Sequence, residues 1–460
     1  MPKQMTAEQK LTYMTETPLP RLVLSLSVPT IVSMLITSFY NMADTYFVGL
    51  IGSASASGAV GVAFPLMAIM QAVGFMFGHG SGNHMARVLG AGDAADARKM
   101  AATGFFSAFF VGLAIMTIGL LAAEPLAYAL GSTPTIAPYA MEYLGYLMPG
   151  APFLIASLVL NNQLRFQGSA FYAMIGITSG AVLNIILDPL FIFTFGMGVA
   201  GAALATSLSQ VVSFFLLLNG TRLGGNIRIH WRDYTPTLAN FREILRGGVP
   251  SLARQSLTSL ATVCLNLASG GYGDAAIAAM SIVTRVMMMT VSAIIGFGQG
   301  FQPICGFNYG AGLYERVRRA FWFCVRLCFC VLVLVSAAAI ALAPQIISLF
   351  LAADPQVQEI GTLALRLQCA LIPLFAFTCL SNMMLQTMGI AGRATVLAMA
   401  RQGLFFIPAV WVLEHAFGLL GVQLAQPVAD VLSFLLAIPL TLPVLRRLRE
   451  SEAAKKVSKT

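Results

Sequence analysis

Long apolar runs separated by short polar breaks make up nearly the whole chain. Hydropathy resolves them into about twelve stretches long enough to cross a bilayer as helices. They are expected near 22–49, 54–80, 100–122, 138–162, 169–195 and 198–219, and again near 244–270, 275–303, 318–343, 358–384, 393–415 and 420–445. The pattern predicts an all-α integral membrane fold. The first run, PRLVLSLSVPTIVSMLITSFYNMADTYFVG, carries Pro29 in its first third and a lone acid, Asp44, near its far end. On insertion scales a carboxylate in a membrane helix costs about 2.5–3.5 kcal/mol unless it pairs, protonates or binds a cation.

The polar breaks alternate in charge. One set holds Lys3, Lys10 and Arg21, then Arg87, Arg98 and Lys99, then Arg165, then Arg222, Arg228, Arg232, Arg242 and Arg246. It continues with Arg316, Arg318 and Arg319, then Arg393, and ends in the tail with Arg446, Arg447, Arg449, Lys455, Lys456 and Lys459. The opposite breaks, at 50–53, 123–137, 196–197, 271–274, 344–357 and 416–419, have no Lys or Arg. By the positive-inside rule both termini are expected in the cytoplasm. The net charge of +9 is then mainly a topology signal, with some contact to anionic lipid headgroups, and not a sign of nucleic-acid binding. Composition agrees: 58% of the 460 residues are hydrophobic and 10% charged, against about 25% charged in soluble domains. Glu8, Glu16, Pro18 and Pro20 interrupt the amino-terminal segment, which does not read as a secretory signal. The seven cysteines, all in the second half, read as small lipid- or core-facing residues. Cys324, Cys328 and Cys330 do not have a zinc-ligand spacing.

The chain also repeats. A shift of 221 superposes Pro29 on Pro250, Pro134 on Pro355, Pro152 on Pro373, Asn161 on Asn382 and Gly168 on Gly389. A shift of 220 aligns Gly90 with Gly310 and Gly201 with Gly421. Two six-helix halves follow, in the same orientation because six is even. The expected divisions are a cytoplasmic segment at 1–21, an N-lobe at 22–219, a basic cytoplasmic linker at 220–243, a C-lobe at 244–445 and a basic tail at 446–460. Such a pair of lobes leaves a cavity between them, and rocking them gives alternating access.

Few polar groups lie deep in the runs. Span one has Asn41 and Asp44; span five has Asn184 and Asp188, one helical turn apart; span six has Thr206; span four ends in Asn161 and Asn162. Counted from the basic end, Asp44 lies roughly 33 Å deep, Asp188 and Asn41 roughly 28 Å, and Asn184 and Thr206 roughly 20–23 Å. These depths allow one shared layer. Two carboxylates that meet out of water do not readily both ionise, so such a pair takes up and releases protons. The structural alternative is that Asp44 and Asp188 cap broken helix ends, and Pro189 after Asp188 suits that role.

The second half differs, with Asp430 in its last span and Gln368 and Cys369 in its tenth. Arg254 and Arg326 read as snorkelling or structural, while Arg285, Arg366 and Arg401 remain open between a basic cavity and the lobe interface. The 23 methionines suit a surface that repacks around varied guests, and equally a lipid-facing one. His79 and His84, five apart, do not share a helix face as a metal site would require. No P-loop or Rossmann glycine pattern supports ATP-driven transport or an ATPase subunit.

FYNMADTYFVG in span one, LNIILDPLFIF in span five and GFGQGFQPICGFNYGAG at 296–312 resemble the multidrug and toxic compound extrusion (MATE) family, most closely its MepA-type multidrug exporters. The resemblance covers nearly the whole chain. It implies twelve helices in two lobes, no cofactor, and export of small cationic, amphipathic drugs driven by proton or sodium entry. It also implies a cation or proton site at Asp44, Asn184, Asp188 and Thr206, the place where a sodium ion would sit. Tyr40, Asn41 and Asn161 match positions lining the cavity, and Pro29 matches a hinge at which span one bends. Sodium-coupled NorM-type members carry acids in spans seven and ten that this chain lacks.

The expected protein is therefore a monomeric antiporter in the inner, plasma membrane of a prokaryote, with lipids and small-molecule drugs as partners. The alternative is a flippase of lipid-linked precursors or polysaccharide, which requires a basic cavity. An integral membrane enzyme requires a clustered nucleophile, metal or acid–base set, and none is legible.

Overall fold

With no water in the hydrocarbon core, each main-chain N–H and C=O must find a partner within its own segment, and the apolar runs accordingly fold as helices. The computed structural model describes residues 5–350 and 354–457 and is helical throughout its ordered elements. Lys3, Lys459, the side chains of Lys455 and Lys456, and positions 351–353 of the 344–357 break lie outside the described residues.

A short surface helix, α1 (Ala7–Glu16), opens with a capping box at Thr6 and Gln9. The first half follows as α2 (Leu19–Gly49), α3 (Ala54–Gly90), α4 (Ala94–Leu121), the short α5 (Ala123–Ala129), α6 (Ala137–Leu147), α7 (Ala151–Phe166), α8 (Ala170–Pro189) and α9 (Gly198–Gly220). A 3-10 turn at Met148–Gly150 joins α6 and α7 into one span, and a π-turn, Leu190–Thr194, extends α8 past Pro189. The second half runs α10 (Leu238–Gly270), α11 (Asp274–Gly310), α12 (Tyr314–Ala341), the short α13 (Ala343–Ser348), α14 (Pro355–Leu371), α15 (Phe375–Thr387), α16 (Ala391–Met399), α17 (Ile407–Phe417) and α18 (Leu419–Val457). A 3-10 turn, Ile372–Leu374, joins α14 to α15, and a π-turn, Ala400–Phe406, joins α16 to α17.

Among the described residues, eleven of these helical stretches are long and apolar enough to cross a membrane. The remaining expected span is α10, a 33-residue helix. Arg242, Glu243, Arg246, Arg254 and Gln255 make its first half more polar than the other spans.

The halves repeat in detail. Asn161 Nδ2 donates to the Ala173 carbonyl at 2.9 Å, and its repeat mate Asn382 donates to the Ala394 carbonyl at 2.6 Å. Gly168 and Gly389 both take φ of 78°, the left-handed turn that a side chain disfavours. Each lobe has its own core. Phe105, Leu154, Ile155, Leu160 and Phe214 belong to the first, and Phe301, Phe321, Leu365, Leu380 and Phe406 to the second.

The lobes meet on the side that carries the termini. There α3 and α11 cross with backbone against backbone: a Cβ on Gly90 would sit 2.2 Å from the Phe307 carbonyl oxygen, and one on its repeat mate Gly310 1.9 Å from the Arg87 carbonyl oxygen. Polar ties surround this contact. Arg87 Nη1 donates to the Thr387 carbonyl at 2.8 Å, and Arg87 also pairs with Glu243 at 3.0 Å. The Thr387 hydroxyl donates to Asn83 Oδ1 at 2.8 Å. His84, weighed in the sequence with His79 and found off its helix face, pairs with Asp96 at 2.7 Å. A strap formed by α1 completes the closure, since Asn308 Nδ2 donates to the Met14 carbonyl at 3.1 Å and Lys10 to Asn226. Towards the other side, a Cβ on Gly49, Gly61 or Gly273 would meet nothing within 4 Å.

Gly90→Val therefore forces main chain against main chain. Overpacking of this kind costs about 1–3 kcal/mol. The melting temperature of the purified protein is expected to fall, while Gly49→Ala leaves it in place. Equal melting of Gly90→Val and wild type would contradict the close crossing.

Candidate functional site

Helix α2 is continuous through Pro29, which cannot donate the main-chain bond of its position. Around and beyond it a series of hydroxyls bonds back onto the carbonyl one turn earlier. Thr30 reaches Leu26 at 2.7 Å, Ser33 reaches Pro29 at 2.9 Å, Thr37 reaches Ser33 at 2.8 Å and Thr45 reaches Asn41 at 2.9 Å. Back-bonded hydroxyls loosen a helix and favour bending. The far end of α2 presents Tyr40 and Asp44 to the N-lobe interior.

There α2 meets α8 and α9. Asp188 is fully buried, Asn184 and Thr206 are each 1% exposed, and Asp44 is half-buried. Asn184 is satisfied in one orientation: its amide nitrogen donates to Asp188 Oδ2 at 3.0 Å, while its oxygen accepts from the Thr206 hydroxyl at 3.3 Å and main-chain N–H at 3.2 Å. The Tyr40 hydroxyl reaches Thr206. Asp188 lies within coulombic reach of Asp44, and Tyr40 and Tyr143 lie within reach of both. One oxygen of Asp44, Oδ1, is buried without a hydrogen-bond partner. Among the described residues neither acid has a Lys, Arg or His within ion-pair distance. The four residues singled out for a cation or proton site thus form one buried layer with an uncompensated negative charge.

Beside this layer lies a cavity of about 960 Å³, counting the space at its open mouth. Thr30, Ser33, Thr37 and Tyr40 of α2, Gln71 and Phe75 of α3, Asn161 of α7, Asn184 of α8 and Gln210 and Ser213 of α9 contribute to its wall. Tyr40 and Asn161, expected at a substrate cavity, line it. Asn41 is half-buried and outside the lining, because successive residues of a helix point about 100° apart. Gln71, Gln210 and Ser213 were not legible in the sequence as lining residues, being single polar positions in apolar runs.

Arg165 is the larger departure. The sequence places it in a basic break after a span ending near 162, yet α7 continues to Phe166 and buries Arg165 to 2% exposure, where it lines the cavity. Its Nη1 donates to Gln299 Oε1 of the C-lobe at 2.6 Å, and Nη2 contacts Asn162 and, at 3.4 Å, His79 Nε2. His79 Nδ1 faces the Phe75 carbonyl at 3.2 Å, which suits a neutral imidazole donating there and accepting from Arg165. Arg254, read in the sequence as snorkelling or structural, is half-buried and lies within coulombic reach of Arg165 and His79.

The other arginines do not gather into a basic cavity. Arg285, Arg326 and Arg366 are exposed. Arg401 pairs with buried Asp430 at 2.7 Å and lies 4.2 Å from the Phe375 ring centre, with Gln426 donating to the same carboxylate at 2.9 Å. The C-lobe neutralises its intramembrane acid internally, and the N-lobe does not.

Comparison with known proteins follows the same halves. The MatE family model matches residues 29–190 and 250–412, with starts 221 residues apart. The multidrug export protein MepA of Staphylococcus haemolyticus is similar at 27% identity over 448 residues, 97% of this chain and 98% of that protein. MepA of Staphylococcus aureus is similar at 27% identity over 434 residues, 94% of this chain and 95% of that one. Among solved structures, an outward-facing multidrug resistance MATE transporter superposes with a TM-score of 0.90 at 26% identity, covering 97% of this chain and 100% of that chain.

Asn184→Leu removes the amide donor to Asp188 and leaves a buried acceptor unpaired. The expected cost is about 1–3 kcal/mol in the wild-type background and much less beside Asp188→Leu, a coupling that a double-mutant melting cycle reads directly. Equal costs in both backgrounds would contradict the amide orientation.

Proposed function

We propose that this chain, which belongs to the multidrug and toxic compound extrusion (MATE) family, exports cationic amphipathic drugs in exchange for protons moving inward. Members of the family are ion-coupled transporters rather than enzymes. The acid pair carries the reading, because buried Asp188 and half-buried Asp44 lie within coulombic reach of each other with no basic partner among the described residues. Such a pair attracts a cation and loses that attraction when it is protonated.

In this account the basic side is cytoplasmic, both termini lie there, and the tight inter-lobe contact on that side makes this conformation outward-facing. A proton arriving from outside neutralises the pair and releases the drug outward. Helix α2 then bends at Pro29, where the missing donor and the back-bonded hydroxyls make it compliant. The lobes rock to open inward, where the proton leaves. The protein works as a monomer in the inner membrane of a prokaryote, among lipids, without an ATPase subunit.

Sodium is the other ion the donor set suggests, through two carboxylates, an amide oxygen and a hydroxyl. With its NH2 towards Asp188 the Asn184 amide suits an ion-free pair, and turned over it keeps the Thr206 hydroxyl at 3.3 Å and presents its oxygen to a sodium ion. The flippase alternative loses the three arginines that the sequence offered it, since Arg285 and Arg366 are exposed and Arg401 is paired, which leaves Arg165 as the one charge on the cavity wall among the described residues.

Asp44→Asn and Asp188→Asn are each expected to cut efflux of a cationic dye from cells at least tenfold at equal expression. Either variant exporting at the wild-type rate would remove the coupling role.

A further inference from the structure

A cavity built only for cations has no use for a buried guanidinium in its wall. Arg165 is the one charged residue that lines it, and no carboxylate lies within ion-pair distance of Arg165 among the described residues. Gln299, Asn162 and His79 satisfy part of its hydrogen bonding but none of its charge, and its Nε is buried without a partner. Arg254 lies within coulombic reach of it, and no carboxylate pairs with Arg254 among the described residues. A like charge nearby adds to the cost of burying Arg165, and an anion beside it offsets that cost.

The opposite end of the same cavity approaches the acid layer. Tyr40 and Asn184 line it there, and Asn184 hands on to Asp188. Thr30 and Tyr40 both line the wall along α2, ten residues apart, so the cavity extends roughly 15 Å along that helix. Between the ends stand Met34, Phe75, Leu154, Leu158 and Ile177, with the hydroxyls of Ser33 and Thr37 among them. Among the described lining residues the one formal charge is Arg165, and the acid layer lies beyond Asn184.

We infer that Arg165, with Arg254 within coulombic reach, is an oxyanion subsite on the wall of this cavity, where the carboxylate or phosphate of an amphipathic guest docks. This rests on the export reading of the cavity. Because Arg165 also holds Gln299 of the C-lobe, an oxyanion that engages it draws on the same donors that join the lobes at this depth.

The test uses the purified full-length protein and two probes, a xanthylium dye with a free benzoate and the methyl ester of the same dye. Arg254→Gln is the main variant, since Arg165→Gln also unties α7 from α11. The free acid is expected to bind Arg254→Gln about tenfold more weakly than wild type, the ester to change less than twofold, and Arg254→Lys to keep most of the acid's affinity. Inorganic phosphate is expected to compete with the acid and not with the ester. Parallel shifts of both dyes, or no shift of either, would overturn the subsite. Weaker binding of the acid in phosphatidylcholine nanodiscs than in detergent would assign the subsite to a lipid phosphate and overturn the substrate class. Failure of the export reading looks different: the ester would bind wild type no better than the Asp44→Asn, Asp188→Asn double variant.

Discussion

Two carboxylates with no ion-pair partner among the described residues, Asp188 buried and Asp44 half-buried where three helices meet, are the constraint on which the rest of this structure depends. Burying either acid in its charged form is costly, and a proton or a cation offsets that cost. Asn184 lies between Asp188 and Thr206, Tyr40 closes the layer from α2, and the helix that carries Asp44 holds Pro29 and a series of back-bonded hydroxyls. Helix α2 also touches both lobes: Ser27 donates to the Phe297 carbonyl at 3.2 Å, and the Ser38 and Ser292 hydroxyls lie 2.9 Å apart.

The C-lobe shows the other solution to the same problem. The 221-residue shift places Asp430 on Ser209 and Arg401 on Gly180. In the N-lobe those mates pack together, a Cβ on Gly180 falling 3.1 Å from the Ser209 carbonyl oxygen. In the C-lobe the equivalent contact is a buried ion pair. One half of the repeat leaves its acids without an ion-pair partner among the described residues, and the other pairs its acid with an internal arginine. The repeat supplies the frame, and departures from it mark where the halves divide their work.

Much of this was legible in the sequence. Gly90 and Gly310, aligned by the shift, turned out to face each other's strand of backbone across the lobe interface. Asp44, Asn184, Asp188 and Thr206 stood out because polar groups are rare in these runs, and helical rise put them at similar depths. What was hidden is instructive. Arg165 was counted among the basic breaks because hydropathy ends span four at its last apolar residues, while the helix continues one turn further into the protein. The Arg401–Asp430 pair joins residues 29 apart on different helices, which no local pattern reveals. The seventh span is less apolar than the rest because its first half faces the other lobe and not lipid. In each case hydropathy, which reports the average environment of a segment, missed a single side chain whose partner comes from elsewhere in the chain.

The most direct test of the account is dye transport in proteoliposomes carrying the purified protein, with pH and sodium gradients imposed separately. The account predicts that a proton gradient alone, in sodium-free buffer, drives a cationic dye against the direction of proton flow. Dye movement that follows the sodium gradient and ignores the pH gradient would contradict it.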